Sequence, residues 1–137
     1  MRELLKPITL AILTLSALPA LADGDIEHGI KEFGKCKACH SIVDGDKVIQ
    51  KGGRVGPNLF GVIGRPAGSY EGFKYSPDML AAGKAGLVWD TENLPQFIKD
   101  PKTFLREYLG KGTAKSKMTY KLKDGRDVAA YLESLNS

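Results

Sequence analysis

Apolar residues between Asp25 and Lys35 recur at Ile26, Ile30 and Phe33, spacings of four and three that share one stripe of a helix. His28 falls about 200° round that helix from Ile26, at roughly 100° per residue, and is expected to face water. The stretch Ser76-Pro77-Asp78-Met79-Leu80-Ala81-Ala82-Gly83 predicts a short helix, with a serine cap, proline at its first position and glycine just past its end. Asp90 or Thr91 caps a segment through Lys99 whose apolar face is Leu94, Phe97 and Ile98, with Pro95 near the tolerated first turn. Pro101 blocks its continuation and opens a further helix, capped by Asp100, that buries Phe104, Leu105 and Tyr108 before Gly110 and Gly112 end it near Leu109. The last helix follows Asp124 and buries Val128, Tyr131, Leu132 and Leu135. Strand patterning is sparse, and the stretch from Ser41 to Ser69 is rich in glycine, as loops are. The expectation is a small all-α fold of about five helices with long loops.

The N-terminus follows a different pattern. Arg2 and Lys6 precede an apolar run from Ile8 to Leu18, and Ala20-Leu21-Ala22 supplies the small residues of a cleavage site. That run is about half of the roughly 20 residues a membrane span needs. Residues 1–22 are therefore read as a cleaved signal peptide and 23–137 as a single domain, exported to the periplasm, beginning at Asp23. Removing Arg2, Lys6 and Glu3 from 20 basic and 16 acidic residues leaves 18 and 15. A net charge of that size gives no reason to expect nucleic acid as a partner.

The chain has two cysteines and two histidines, and Cys36-Lys37-Ala38-Cys39-His40 holds three of those four residues. In an oxidising compartment such a pair is expected to form a disulfide, bind metal or be alkylated by a cofactor. A thioredoxin-like site needs a βαβ setting, whereas the segment before Cys36 reads as helix. Zinc needs four ligands, commonly from two separated pairs, and only His28 could join this motif. C-x-x-C-H is the attachment signature of c-type haem: each thiol adds to a vinyl group, and the histidine takes an axial position on iron. The favoured reading is one covalent haem c on Cys36 and Cys39 with His40 as ligand, ahead of zinc and dithiol chemistry. For the second axial position the candidates are Met79, inside a capped helical turn, and Met118, in a polar stretch without periodicity. Met118 is favoured, because a methionine within a helix is most often a core filler and a loop thioether can swing over a haem face.

These residues resemble a class I c-type cytochrome, and most closely the cytochrome c2 branch of purple and related bacteria. The likeness runs from Gly29 to about Leu135. It rests on Gly29 and Phe33 ahead of the cysteine motif, Gly56-Pro57-Asn58-Leu59 with Gly61, Gly64 and Arg65, Gly72-Phe73-Lys74-Tyr75-Ser76 with Trp89, Lys117-Met118-Thr119, and Tyr131. The resemblance implies that the Pro57 carbonyl accepts from His40 Nδ1–H, and that Tyr75 and Trp89 donate to a haem propionate. It further implies that Arg65 offsets the propionate charge, that Ser116 adds a hydrogen bond, and that Gly29 lets the first helix approach the last near Tyr131. Phe97 stands where many relatives place a tyrosine that bonds the methionine sulfur, and Leu105 to Lys115 is longer than the mitochondrial pattern, as in longer cytochrome c2 members.

With His40 and Met118 both on iron there is no open position for a substrate, so the expectation is a single-electron carrier and not an enzyme. The competing class is a haem enzyme or gas-binding sensor with an open iron site. The resemblance implies a bc-type quinol oxidoreductase as donor and a photosynthetic reaction centre or terminal oxidase as acceptor, met transiently at the membrane surface by a monomer. Five lysines, Lys111, Lys115, Lys117, Lys121 and Lys123, stand in a stretch without acidic residues, and Lys35 and Lys37 flank Cys36. These seven are expected to steer docking onto an acidic partner.

Overall fold

A computed structural model of the protein describes residues 24–136, together with Pro7, Ala11 and Ile12. Apart from those three, the predicted signal segment lies outside the described residues. The described residues form five helices: α1 (Ile26–Glu32), α2 (Pro77–Lys84), α3 (Asn93–Lys99), α4 (Pro101–Leu109) and α5 (Arg126–Ser134), with a 3-10 turn at Phe33–Lys35. No helix among the described residues is long and apolar enough to cross a membrane.

The helix ends follow local chemistry. Asp25 Oδ1 accepts from the His28 N–H at 3.2 Å, Ser76 Oγ from the Met79 N–H at 3.2 Å, and Asp100 Oδ1 from the Thr103 N–H at 3.1 Å. Pro77 and Pro101 occupy first turns, where no N–H is missed. Gly110 closes α4 in the left-handed region, at φ 64°. Three ends differ from expectation. At α3 the cap position is Glu92, not Asp90 or Thr91, although Asp90 Oδ1 accepts from the Glu92 and Asn93 N–H groups at 2.9 and 2.7 Å. Gly83 lies inside α2, which runs on to Lys84, and a Cβ there would overlap the Ala67 carbonyl oxygen. At α5 the cap position is Gly125, while Asp124 Oδ1 accepts from the Arg126 N–H at 3.1 Å.

α1 crosses α5 with Gly29 at the contact. A Cβ on Gly29 would overlap the Asp127 carbonyl oxygen and stand 2.9 Å from Tyr131 Cβ. Phe33 is fully buried, its ring edge-on to Tyr131 at 6.0 Å. This crossing turns the buried stripe of α1 onto Gly29 and Phe33, and leaves Ile26 and Ile30 exposed on its flanks, a correction to the predicted face. Elsewhere Trp89, Phe97 and Phe104 make a cluster with centroids 4.9 to 5.9 Å apart. Tyr108 also departs from expectation, stacking on Phe104 at the surface instead of entering the core.

The glycine-rich segment contains a hairpin that the periodicity did not predict. β1 (Ile42–Asp44) pairs antiparallel with β2 (Lys47–Gln50), with Asp44 opposite Lys47 and a bulge between Ile42 and Val43. Gly45 takes φ 57° at the first position of the two-residue turn. The signal was a Gly-Asp pair between Ile-Val and Val-Ile, too short for period-two counting to register.

Candidate cofactor site

The chemistry-bearing motif leaves α1 as one further helical turn. The Cys39 N–H and the His40 N–H both donate to the Cys36 carbonyl, at 3.1 and 2.9 Å. Residues three and four apart in such a turn share a face, so Cys36, Cys39 and His40 are presented together. Both thiols are free and half-buried. Burial, and then the charge of Glu32, push the Cys36 thiol up to about 11, which keeps it protonated and suits it poorly to be a thiolate metal ligand. Among the described residues no group of three His, Cys, Asp or Glu side chains is placed to hold a metal ion.

His40 is buried, and its Nδ1 lies 2.8 Å from the Pro57 carbonyl. A carbonyl only accepts, so Nδ1 carries the proton and Nε2 keeps a free lone pair. Burial also lowers the pKa of the ring below its ordinary value, which favours the neutral form a ligand needs. The backbone comes very close here. A Cβ on Gly56 would overlap His40 Cε1 and stand 2.7 Å from Nδ1, and one on Gly52 would overlap the His40 carbonyl. Gly56→Ala is therefore expected to displace the imidazole from Pro57. Nitrogen-proton NMR of the reduced protein should then show the Nδ1–H resonance moved or lost.

Of three other predicted residues, Arg65 and Tyr75 both meet Tyr70, whereas Trp89 belongs to the apolar core. Arg65 Nη2 donates to the Asn58 carbonyl at 3.0 Å, its guanidinium stands 5.1 Å over the Tyr70 ring, and it has no carboxylate partner among the described residues. Burial lowers its pKa, so an anion beside it would be welcome. The Tyr75 hydroxyl accepts from the Tyr70 N–H at 3.1 Å and keeps its own proton to donate. Trp89 is buried against Phe97. Sequence reading missed the role of Asn58, whose side chain bonds the Val43 N–H and carbonyl and the Phe60 N–H, bracing the loop that carries Pro57. The Pro-Asn pair was its only local signal.

Met118 and Met79 are both half-buried against the core. Met79 sits in α2, at the third residue after its cap, whereas Met118 lies in the irregular run between α4 and α5. Ser116 Oγ donates to the Met118 carbonyl at 2.8 Å, a local turn contact. The other histidine is elsewhere: His28 is exposed, 2.5 Å from Asp127 at the α1–α5 crossing.

The lysines are not equivalent. Lys111 pairs with Asp78 at 2.6 Å, Lys121 with Asp100 at 3.3 Å, and Lys35 with Glu32 at 3.2 Å. Lys117 donates to the Lys74 carbonyl and lies 5.6 Å from the Phe73 centroid. Lys37, Lys115 and Lys123 make no side-chain ion pair among the described residues.

The donor set suits a c-type haem: two thiols one helical turn apart, an imidazole with Nε2 free, a thioether on a loop, and a guanidinium with no carboxylate partner among the described residues to meet a propionate. No protein-family model matches the sequence. Known proteins do. Cytochrome c-551 of Roseobacter denitrificans is 55% identical over 133 residues, covering 93% of this chain and 95% of that protein. Cytochrome c2 of Rhodobacter capsulatus is 49% identical over 138 residues, 98% of each. A solved structure of Rhodobacter capsulatus cytochrome c2 superposes with a TM-score of 0.81 at 48% identity, over 83% of this chain and 100% of that one. The cytochrome c2 structure from Paracoccus denitrificans gives 0.79 at 44% identity, over 82% and 96%.

Proposed function

The chain belongs to the class I c-type cytochromes, in their cytochrome c2 branch, and from that membership we propose that it carries electrons through the periplasm from a bc-type quinol oxidoreductase to a reaction centre or terminal oxidase. It is a monohaem electron carrier, with one haem c attached through Cys36 and Cys39. The bound haem supplies a one-electron iron couple, which no side chain in this protein offers.

The protein's own part is positioning. His40 and Met118 would fill both axial positions, which leaves no room for a substrate and argues for electron transfer over bond chemistry. The observation that carries this reading is the 2.8 Å contact of His40 Nδ1 with the Pro57 carbonyl, which holds the ring and aims Nε2 away. A soft Met118 sulfur would favour the ferrous state, and burial of the haem beside apolar side chains such as Trp89 and Phe97 would act in the same direction. Arg65, Tyr75 and Trp89 would meet the propionates. Ser116, with its proton directed to the Met118 carbonyl, would serve them less directly than its loop. The basic and apolar leader ahead of Ala22 supports export.

Covalent attachment has a direct test. Acid-acetone extraction of the mature protein should leave the colour with the polypeptide, and freely extracted haem would defeat the thioether assignment. An oxidised spectrum with a methionine-to-iron band in the red separates the carrier from an open-site enzyme or gas sensor.

The docking face is best carried by Lys37, Lys115 and Lys123, whose ammonium groups are not held in ion pairs among the described residues; Lys35, Lys111 and Lys121, each paired with a carboxylate, and Lys117, tied to the Lys74 carbonyl, would add to the positive field. A lysine field of this kind steers association with an acidic partner and is screened over a Debye length of about 10 Å at 0.1 M salt. The second-order transfer rate should fall steeply with ionic strength. Lys37→Glu should cut it at low salt with little change in potential, and Lys84→Glu much less. Equal slowing by both would mean there is no localised face.

A further inference from the structure

Asp78 is a charged residue that nothing above uses, and it is almost completely buried, at 6% exposure. It occupies the second position of α2, after Ser76 and Pro77, where the helix N-terminus favours a carboxylate. Both of its oxygens are engaged by the segment that follows α4. Oδ1 accepts from Lys111 Nζ at 2.6 Å, and Oδ2 accepts from the Lys115 backbone N–H at 2.6 Å. These two hydrogen bonds hold the carboxyl below its usual range, Lys111 contributing most.

The segment gripped in this way is the one that bears Met118. It has no helix or strand between Leu109 and Arg126. At its ends the Lys111 N–H donates to the Arg106 carbonyl at 2.9 Å and the Leu122 N–H to the Ile98 carbonyl at 3.0 Å. Between them, the Lys115 N–H is the one backbone group that bonds outside the segment among the described residues, and its acceptor is Asp78. Side chains add further ties: Lys117 reaches the Lys74 carbonyl and the Phe73 ring, Lys121 pairs with Asp100 at 3.3 Å, and Met118 packs half-buried against the core.

We propose that Asp78 is a positioning residue for the Met118 thioether, its buried carboxylate pinning the ligand loop three residues upstream through Lys111 and Lys115. This rests on the reading of Met118 as the iron ligand. A thioether is a weak, neutral donor, so its hold on iron depends on how little loop entropy is lost when it binds. The clasp removes that freedom in advance. Lys111 is accordingly a structural cation, although its place in the lysine run suggested docking alone.

The test uses oxidised holoprotein carrying Asp78→Ala, Asp78→Asn or Lys111→Met, with Met118→Ala alongside. Hydrogen exchange is measured at the amides of residues 112–121 and of α1 and α5, together with the temperature at which the methionine-to-iron band is lost. Asp78→Ala should speed exchange across the loop by about tenfold or more, leave α1 and α5 unchanged, and lose the band at a lower temperature. Asp78→Asn keeps an acceptor for the Lys115 N–H and should fall between it and the parent, as should Lys111→Met. Unchanged loop exchange in Asp78→Ala, or equal acceleration in loop and helices, would overturn the proposal. A band that survives Met118→Ala would instead refute the ligand assignment, and the exchange data would report on the clasp independently.

Discussion

Met118→Ala in the oxidised holoprotein is expected to abolish the methionine-to-iron band and to lower the reduction potential, while Met79→Leu leaves both nearly intact. Met79 is committed to α2, where its N–H takes the Ser76 cap and its side chain packs on the core, so a substitution of similar volume mainly exchanges one apolar filler for another. Met118 has no helix to hold it. Its position comes from the loop tied to Asp78 and from the turn that Ser116 makes with its carbonyl. Removing the thioether takes away a soft donor that favours the ferrous state, and axial ligation spans roughly 0.8 V of potential. A redox titration beside the oxidised spectrum decides the matter. If Met79→Leu loses the band and Met118→Ala keeps it, the two roles are exchanged.

Gly29→Ala should cost the holoprotein about 3 kcal/mol, near the upper end of ordinary overpacking. The added methyl would overlap the Asp127 carbonyl oxygen, a backbone atom that no side-chain rotation can move away. α1 would have to lift off α5. That would loosen the Phe33–Tyr131 contact and the Asp127 bonds to Asp25 and His28. At about 4 °C per kcal/mol for a domain of this size, Tm should fall by roughly 12 °C. Gly34→Ala is the control, since a Cβ there meets nothing within 4 Å. It should shift stability by less than about 0.5 kcal/mol. Calorimetry on both variants settles whether the close approach is what requires glycine: equal shifts would show that it is not.

What could be read along the chain was chemistry whose determinants lie within a few residues. The cysteine motif names its cofactor because thioether attachment and axial ligation need those side chains one helical turn apart. Ser76 and Asp100 announced helix starts, since a cap bonds an amide only three residues on. The family resemblance placed Pro57 opposite His40, across 17 residues that no local rule spans.

Other features were decided only by the fold. Period counting put Ile26 and Ile30 in the core, but which face of α1 is buried depends on where α5 crosses, and the crossing selects Gly29 because it has no side chain. Tyr108 had helical spacing for burial and is exposed, because the ring beneath it, Phe104, already fills the contact with Trp89 and Phe97. The five lysines between Lys111 and Lys123 looked alike in sequence, since charge alone does not say what stands opposite. Asp78, 33 residues before Lys111, and Asp100 hold Lys111 and Lys121 in ion pairs, while Lys115, Lys117 and Lys123 have none among the described residues. Sequence by itself determined most of the helices and the covalent cofactor, set by short-range bonding; tertiary contact decided burial, glycine necessity and lysine partners, because those depend on atoms brought together from distant parts of the chain.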